Sequence, residues 1–198
     1  GMHRYIVTPR VGKHRVFRYL DARIIPDTRL VVIADDRDVM LGVLQSRFHE
    51  LWSLRYGARH GVGNDPEYVH TRTFETFPFP EGFDQGVEGA QFSAVAAAAN
   101  KLSELRENWL NPPDLVTQVP EVVPGYPDRM VPIDELAAEK LKTRTLTNLY
   151  NERPAWLLHA HKALDEAVAA AYGWPADLPD DEVLARLFEL NQQRAAKQ

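Results

Sequence analysis

The chain of 198 residues contains no cysteine, so it can form neither a disulfide bond nor a metal site built on thiolates. No apolar run approaches the roughly 20 residues that a membrane-spanning helix requires. The N-terminal Gly1-Met2-His3 also lacks the charged-then-apolar pattern of a secretory signal. We therefore expect a cytoplasmic protein without a membrane partner. It can build a core, because 44% of its residues are apolar.

Lysine is scarce in the first 80 residues, where Lys13 stands beside 11 arginines. This part carries 12 cationic and nine acidic side chains, a net charge of +3, whereas residues 81–198 carry 11 against 19, a net charge of −8. The planar guanidinium of arginine suits phosphate groups and guanine edges better than the point charge of lysine does. The pattern is compatible with a front half that faces nucleic acid, but a mixed-charge solvated surface explains the composition equally well.

Hydrophobic periodicity predicts both strands and helices. Short β-branched and aromatic runs predict strands at residues 5–8, 15–20 and 30–34, with the first two forming a hairpin. Apolar residues at helical spacing predict one helix of about five turns, capped by Asp38 and ended by Gly57. A further strand is predicted at residues 68–74, and further helices are predicted at residues 92–110, 134–150, 154–172 and 180–195.

The prolines divide the chain. Eight of the 14 lie in residues 78–132, which marks connecting segments around one helix. The sequence therefore predicts an α+β fold in which a small mixed strand and helix unit, residues 1–85, precedes an all-helical C-terminal part, residues 86–198. A proline-rich extended crossover is expected at about residues 111–133.

Several sequence elements occur together in a recognisable order. They are Gly12-Lys13-His14-Arg15 with Phe17, the amphipathic run of residues 42–52, Thr73-Phe74-Glu75-Thr76-Phe77-Pro78-Phe79-Pro80, and the tail elements at residues 149–157 and 170–175. In order and spacing they resemble the target recognition domain and helical C-terminal domain of MmeI-like, type IIG DNA methyltransferases of restriction-modification systems. This resemblance spans nearly the whole chain.

The resemblance implies a division of labour. In such enzymes a methyltransferase core precedes this region, binds S-adenosylmethionine and methylates adenine N6, while the recognition domain clamps double-stranded DNA as the target base is flipped out. The chain is therefore expected to be a non-catalytic DNA-reading fragment. Its expected partners are DNA and the methyltransferase domain of the same parent chain, and the parent is the expected site of S-adenosylmethionine.

The candidate DNA-contacting residues lie in the front half. Alternation along the predicted strand at residues 67–73 places Tyr68, His70 and Arg72 on one face, although a solvated strand face fits the same residues. With these three, the base-reading candidates are Arg55, Arg59 and His60, at the end of the long predicted helix and in the next loop. The phosphate candidates are Arg10, Lys13 and Arg15.

Two motifs resemble catalytic elements without their required context. Asn111-Pro112-Pro113-Asp114 resembles the Asn-Pro-Pro-aromatic loop of amino-group DNA methyltransferases, but Asp114 replaces the aromatic residue and a helix precedes the loop. Gly61-Val62-Gly63 follows a helix instead of a hydrophobic strand, unlike a cofactor-binding glycine loop. His159 and His161 lie two residues apart on a predicted helix and therefore point to different faces. We expect no catalytic, cofactor-binding or metal-binding residue in this chain.

Two other classes of function stay open. One is a protein–protein interaction module of a restriction or defence complex, which predicts little salt-dependent DNA affinity. The other is a small independent enzyme, which predicts strongly perturbed carboxylates or histidines in a deep cleft.

Overall fold

A computed structural model describes residues 1–62, 65–83 and 89–196. Its front sheet has three antiparallel strands, β1 (Arg4–Pro9), β2 (Arg18–Asp21) and β3 (Leu30–Ile33), in the order β2-β1-β3. This confirms the predicted hairpin of β1 and β2, but β2 begins at Arg18 instead of residue 15. The Gln45 side chain provides the reason, because it accepts from the Phe17 N–H and donates to the Arg15 carbonyl.

The predicted single helix at residues 38–56 is two helices, α1 (Asp38–Gln45) and α2 (Arg47–Tyr56). The residue between them, Ser46, has extended backbone, and its hydroxyl donates to the Val43 carbonyl over 2.7 Å. The first amide of α2, at Arg47, donates to the distant Asp165 carboxylate over 2.8 Å. A local and a long-range hydrogen bond thus replace intrahelical bonds at the break.

The prediction of a strand over residues 68–74 is wrong. The chain forms a short hairpin of β4 (Ala58–His60) and β5 (Asp65–Glu67), followed by one helical turn, α3 (His70–Thr73). The Thr73 amide and hydroxyl both donate to the Val69 carbonyl, which closes this turn. The β-forming residue types are overridden by this local bonding and by the burial of Tyr68.

A long helix, α4 (Ala90–Leu110), confirms the prediction at residues 92–110. After it, the segment expected to be an extended crossover contains a hairpin of β6 (Val116–Val119) and β7 (Arg129–Pro132). Prolines at both ends of its connecting loop, Pro120 and Pro127, are compatible with this hairpin because they lie outside the paired residues.

From residue 135 onward the regular elements are helices, as predicted: α5 (Glu135–Leu141), α6 (Leu146–Glu152), α7 (Ala155–Tyr172) and α8 (Asp180–Ala195). The predicted helix at residues 134–150 is divided between α5 and α6. The division follows from Thr145, whose hydroxyl accepts from the Asn148 amide and caps the start of α6. The α+β class is confirmed.

Helix α4 occupies the centre of the molecule, between α1 and α7. Gly42 allows the close approach of α1, because a Cβ at this position would lie 2.6 Å from a methyl group of Val95. One hydrophobic core joins the front elements to the tail, with Phe17 and Trp52 from the front and Leu164 and Leu187 from the tail all buried. Each such side chain stabilises the fold by roughly 1.5–3 kcal/mol.

Candidate nucleic-acid interface

The β4–β5 hairpin is fastened to the segment that follows β1. Glu67 bridges to Val11, and the Gly12 amide donates to the Pro66 carbonyl over 3.2 Å. The Tyr68 amide donates to the Arg10 carbonyl over 2.7 Å. Gly57 joins α2 to the hairpin. Any other residue would place its Cβ only 2.6 Å from the Glu67 carbonyl oxygen, so this close approach requires glycine. The end of β1, the end of α2 and α3 therefore meet around one hairpin.

Six of the nine predicted contact residues are exposed on the segments that meet at this hairpin, a group we call the hairpin cations. They are Arg10 after β1, Arg55 in the last turn of α2, Arg59 and His60 on β4, and His70 and Arg72 on α3.

Among the hairpin cations other than Arg59, acidic partners are few in the described structure. His60 lies 3.8 Å from Glu67 and His70 lies 3.9 Å from Glu75, which are long, exposed contacts. Such pairs contribute little to stability. Within the described ranges, Arg10, Arg55 and Arg72 make no ion pair with a carboxylate. These three guanidinium groups are thus available to an external anion.

The structure corrects the placement of Tyr68. Its side chain is only 2% exposed and its hydroxyl lies 2.8 Å from Nε2 of His49. The ring packs edge-on against Phe17, and burial raises the pKa of the Tyr68 hydroxyl. Because Tyr68 precedes a helical turn, it does not share a strand face with His70 and Arg72. It supports the interface from beneath and cannot reach a base in this conformation.

Arg15 is also misplaced by the sequence prediction. It is 5% exposed, and its guanidinium donates to the carbonyls of Pro9 and Pro66 and to the Thr8 hydroxyl. Burial lowers the pKa of Arg15 to about 10. Since its donors are used inside the protein, Arg15 holds the hairpin in place and does not present a surface for phosphate.

Lys13 is exposed, as predicted, but it points to the tail. Its ammonium group donates to Oδ1 of Asn151 over 2.8 Å, and Nε2 of His14 lies 2.9 Å from the same oxygen. The Gly12-Lys13-His14-Arg15 element and the element around Asn151 are therefore in direct contact. Only a change of partner would free Lys13 for a phosphate.

A buried polar network that sequence reasoning missed lies behind the interface. Arg106 is 4% exposed and donates to the Gln45 side chain over 3.0 Å and to the Phe17 carbonyl over 3.0 Å. It also donates to the Tyr150 hydroxyl over 3.3 Å. The sequence contained a signal for this burial, namely polar residues on the apolar face of a helix. Gln45 lies four residues after Leu41, and Arg106 lies four residues after Leu102, so each shares the helix face of its leucine.

The small-enzyme alternative calls for perturbed groups in a cleft, and one cavity contains some. Its lining includes Glu50, Asp165 and His161, and its volume is about 160 Å³. Burial raises the pKa of Asp165 to about 6 and lowers the pKa of His161 to about 4. Asp165 accepts from the Arg47 amide and His161 contacts the Tyr150 hydroxyl over 2.9 Å. The cavity is smaller than typical ligand sites, and these contacts fit a structural junction.

The sequences that resemble catalytic motifs lie at a helix end and in a hairpin turn. Asn111 ends α4 and its side chain donates to Glu107 over 2.6 Å. Gly61 has a positive φ of 75° in the turn between β4 and β5, while Gly63 lies outside the described residues. No group of three potential metal-ligating side chains occurs in the described ranges. None of the helices described is both long and apolar enough to cross a membrane.

His49 makes a prediction about acid stability. It is fully buried, and desolvation together with nearby Arg15 lowers its pKa to about 3, compared with about 6.5 in an unfolded chain. Below about pH 6.5 the unfolded state therefore binds more protons than the folded state. The free energy of unfolding decreases as the pH is lowered through that range. We expect the free energy of unfolding of His49→Gln, measured by chemical denaturation, to decrease less steeply than that of wild type as the pH is lowered from about 6 to about 4. The difference in slope is up to about 1.4 kcal/mol per pH unit.

His161→Gln serves as a second variant in the same series, because its lowered pKa has the same sign. Asp165 acts in the opposite direction, since its raised pKa makes the folded state bind more protons between about pH 4 and pH 6. Identical pH profiles for wild type and His49→Gln would show that His49 is not neutral and buried in solution.

Comparison with known proteins supports the predicted resemblance. Residues 129–197 match the family model described as MmeI, C-terminal domain. The whole chain resembles in structure part of the type IIL restriction-modification enzyme MmeI, which was solved in complex with DNA. The TM-score is 0.68 at 21% identity, and the match covers 99% of this chain and 22% of that chain. No curated protein matches the chain.

The chain thus spans about a fifth of the length of the enzyme it resembles. At this identity the likeness establishes the fold, and the family match covers the β7 strand and the four helices that follow it. The hydrophobic core binds this matched part to the front sheet. The predicted resemblance is therefore confirmed, and the chain is similar to the C-terminal region of MmeI-like enzymes.

Proposed function

We propose that this chain is a non-catalytic DNA target-recognition fragment of an S-adenosylmethionine-dependent DNA adenine-N6 methyltransferase. The hairpin cations are the observation that carries the proposal. They lie on three segments held together around one hairpin, and three of their guanidinium groups have no acidic partner in the described structure. Arginines presented in this way bind phosphates and guanine edges. The structural relative with the same fold was solved with DNA.

Within this proposal the residues have separate roles. Arg59, His60, His70 and Arg72 are candidates for contacts to base edges, because they project from the hairpin and α3. Arg10 is suited to the sugar–phosphate backbone, as predicted from the sequence. Arg55, a base-reading candidate in the sequence prediction, is assigned in this proposal to the backbone as well. Tyr68 and Arg15 position the hairpin from within. Phosphate contacts of this kind set the register, whereas base contacts select the sequence.

The rest of the proposal concerns the parent enzyme. Residues 1–85 are assigned to the recognition domain and residues 86–198 to the helical C-terminal domain. The negative charge of the tail disfavours contact with DNA, so its proposed neighbour is the methyltransferase domain of the same parent chain. S-adenosylmethionine binds to that domain, and this fragment holds no cofactor. The parent acts in the cytoplasm as part of a restriction-modification or phage-defence system.

Fluorescence anisotropy of a labelled duplex, titrated with the chain at several salt concentrations, tests the proposal. Binding should weaken steeply with salt, since each neutralised phosphate adds about 0.9 to the slope of log K against log salt concentration. A slope of about −2.7 or steeper would match three phosphate contacts, those of Arg10, Arg55 and one further cation. Absence of binding at the lowest salt concentration would favour the protein–protein module.

The non-catalytic assignment has its own assay. The same samples, incubated with radiolabelled S-adenosylmethionine and adenine-containing duplex, should transfer no methyl group. Asp114 occupies the position of the stacking aromatic residue, and Asn111 is bonded to Glu107 at a helix end. Robust methyl transfer by the pure chain would refute the assignment.

A further inference from the structure

The outer edge of β3 presents unused backbone groups. In the β1–β3 ladder, Thr8 opposes Val31 and Ile6 opposes Ile33. The Arg10 amide donates to the Arg29 carbonyl, which identifies the pair of Arg10 and Arg29 as hydrogen-bonded. Hydrogen-bonded pairs alternate along an antiparallel ladder. The amides and carbonyls of Val31 and Ile33 therefore face β1, whereas those of Val32 face away from it.

The opposite ladder supports this register. The Ala22 amide donates to the His3 carbonyl, and the β1–β2 pairing continues from there through Tyr5 opposite Leu20. Odd-numbered residues of β1 thus bond towards β2 and even-numbered residues towards β3. In the described part of the chain no strand pairs with the outer edge of β3.

This edge lies in a groove, and shortness is the one common protective feature of an edge strand that β3 has, with four residues. The groove has a volume of about 540 Å³, and its lining includes β3 together with Arg10, Asp35, Met40, His70 and Phe74. The strand itself is Leu-Val-Val-Ile, without proline, lysine or a bulge, although these are the common means of preventing strand addition. Val32 is 45% exposed. A hydrophobic edge of this kind favours pairing with another strand.

We propose that the outer edge of β3 receives an extended segment from the part of the parent enzyme that lies outside this chain. The inference rests on the proposed function only in that the chain belongs to a larger enzyme. A partner of this kind is expected because the MmeI chain with this fold is more than four times as long. The groove adds a chemical requirement: the incoming strand should place apolar side chains against Met40 and Phe74.

Hydrogen–deuterium exchange resolves the Val32 amide in the isolated chain and in the full-length enzyme without DNA. Because this amide faces solvent in the isolated chain, it should exchange rapidly there and about 100-fold or more slowly in the full-length enzyme. The Val31 amide, bonded to β1, is the internal control and should be protected in both. Equal exchange of the Val32 amide in the two samples would overturn the proposal.

Val32→Pro gives a second test. Proline is tolerated on a strand where the N–H side faces away from its neighbour, so the isolated variant should unfold at nearly the wild-type temperature. In the full-length enzyme the same change should restore fast exchange at the amide of residue 34. Unchanged protection there would also overturn the proposal. If Val32→Pro does not fold, Val32→Lys is the alternative variant. It keeps the backbone N–H at position 32 and places a charged side chain beside the apolar groove, so it tests whether the groove must be apolar for the segment to bind.

Sedimentation of the isolated chain distinguishes the rival occupant. A concentration-dependent dimer that Val32→Pro abolishes would assign the edge to a second copy and overturn the proposal. A monomer at all concentrations, together with protection in the full-length enzyme, supports it. Failure of this proposal does not affect the DNA titration, because the titration uses the isolated chain and concerns the hairpin cations.

Discussion

Replacement of Arg10, Arg55 and Arg72 by alanine is expected to lower the affinity for duplex DNA by a factor on the order of 10²–10³ at about 0.1 M salt. The salt slope should become less steep by about 1.8, because the two proposed phosphate contacts of Arg10 and Arg55 are removed. Folding should be unaffected, since all three side chains are exposed and make no ion pair in the described structure. Anisotropy measures the affinity, and circular dichroism confirms the fold.

A matched control removes the same charge from the tail. Arg129, Lys140 and Lys162 are exposed, and their triple alanine variant has the same net charge as the first variant. It should bind DNA with nearly wild-type affinity. Equal losses in both variants would mean that total charge, and not the hairpin cations, determines binding.

Arg106→Met is expected to destabilise the chain by about 2–3 kcal/mol. The change retains the apolar stem but removes three donors and leaves the Phe17 carbonyl without the partner that Arg106 supplies. A second effect opposes this loss. The substitution also removes a buried charge that has no carboxylate partner in the described structure, and this removal by itself favours folding. The lost hydrogen bonds dominate, since they involve a charged donor and buried acceptors.

Urea denaturation measures this loss. Arg129→Met is the control, because Arg129 is exposed and its ion pair in the described ranges is with Glu121 of the β6–β7 hairpin. It should change stability by less than about 0.5 kcal/mol. A wild-type midpoint for Arg106→Met would contradict a stabilising role for the network. We also expect a single transition in the wild type, since Arg106 links the front strands to the tail.

The long amphipathic helices could be predicted from sequence because their signals are local. The apolar positions of α4, α7 and α8 repeat at helical spacing, and Gly173 ends α7 in the left-handed conformation that glycine favours. The break in the first helix could not be predicted in this way. It depends on Asp165, which is 118 residues away from Arg47 in sequence.

The candidate interface could be predicted in composition but not in arrangement. Six of the nine predicted contact residues are exposed around one hairpin, and for them DNA contact stays a prediction. Tyr68 and Arg15 were misplaced, because residue type alone does not show that a tyrosine contacts a buried histidine or that an arginine donates to backbone carbonyls. Those contacts depend on how β1, α2 and the hairpin pack together.

The polar contacts across the middle of the chain have a consequence for hybrid proteins. The side chains of Lys13 and His14 both contact Oδ1 of Asn151. The Arg106 guanidinium donates to Oε1 of Gln45. A chimera that joins residues 1–85 of one relative to residues 86–198 of another inherits these partners from different parents. Where they do not correspond, a guanidinium or an amide is left buried and unsatisfied. A chimera that tests the proposed role of the hairpin and α3 should therefore exchange only those elements, and keep Gln45, Arg106 and Asn151 from the same parent.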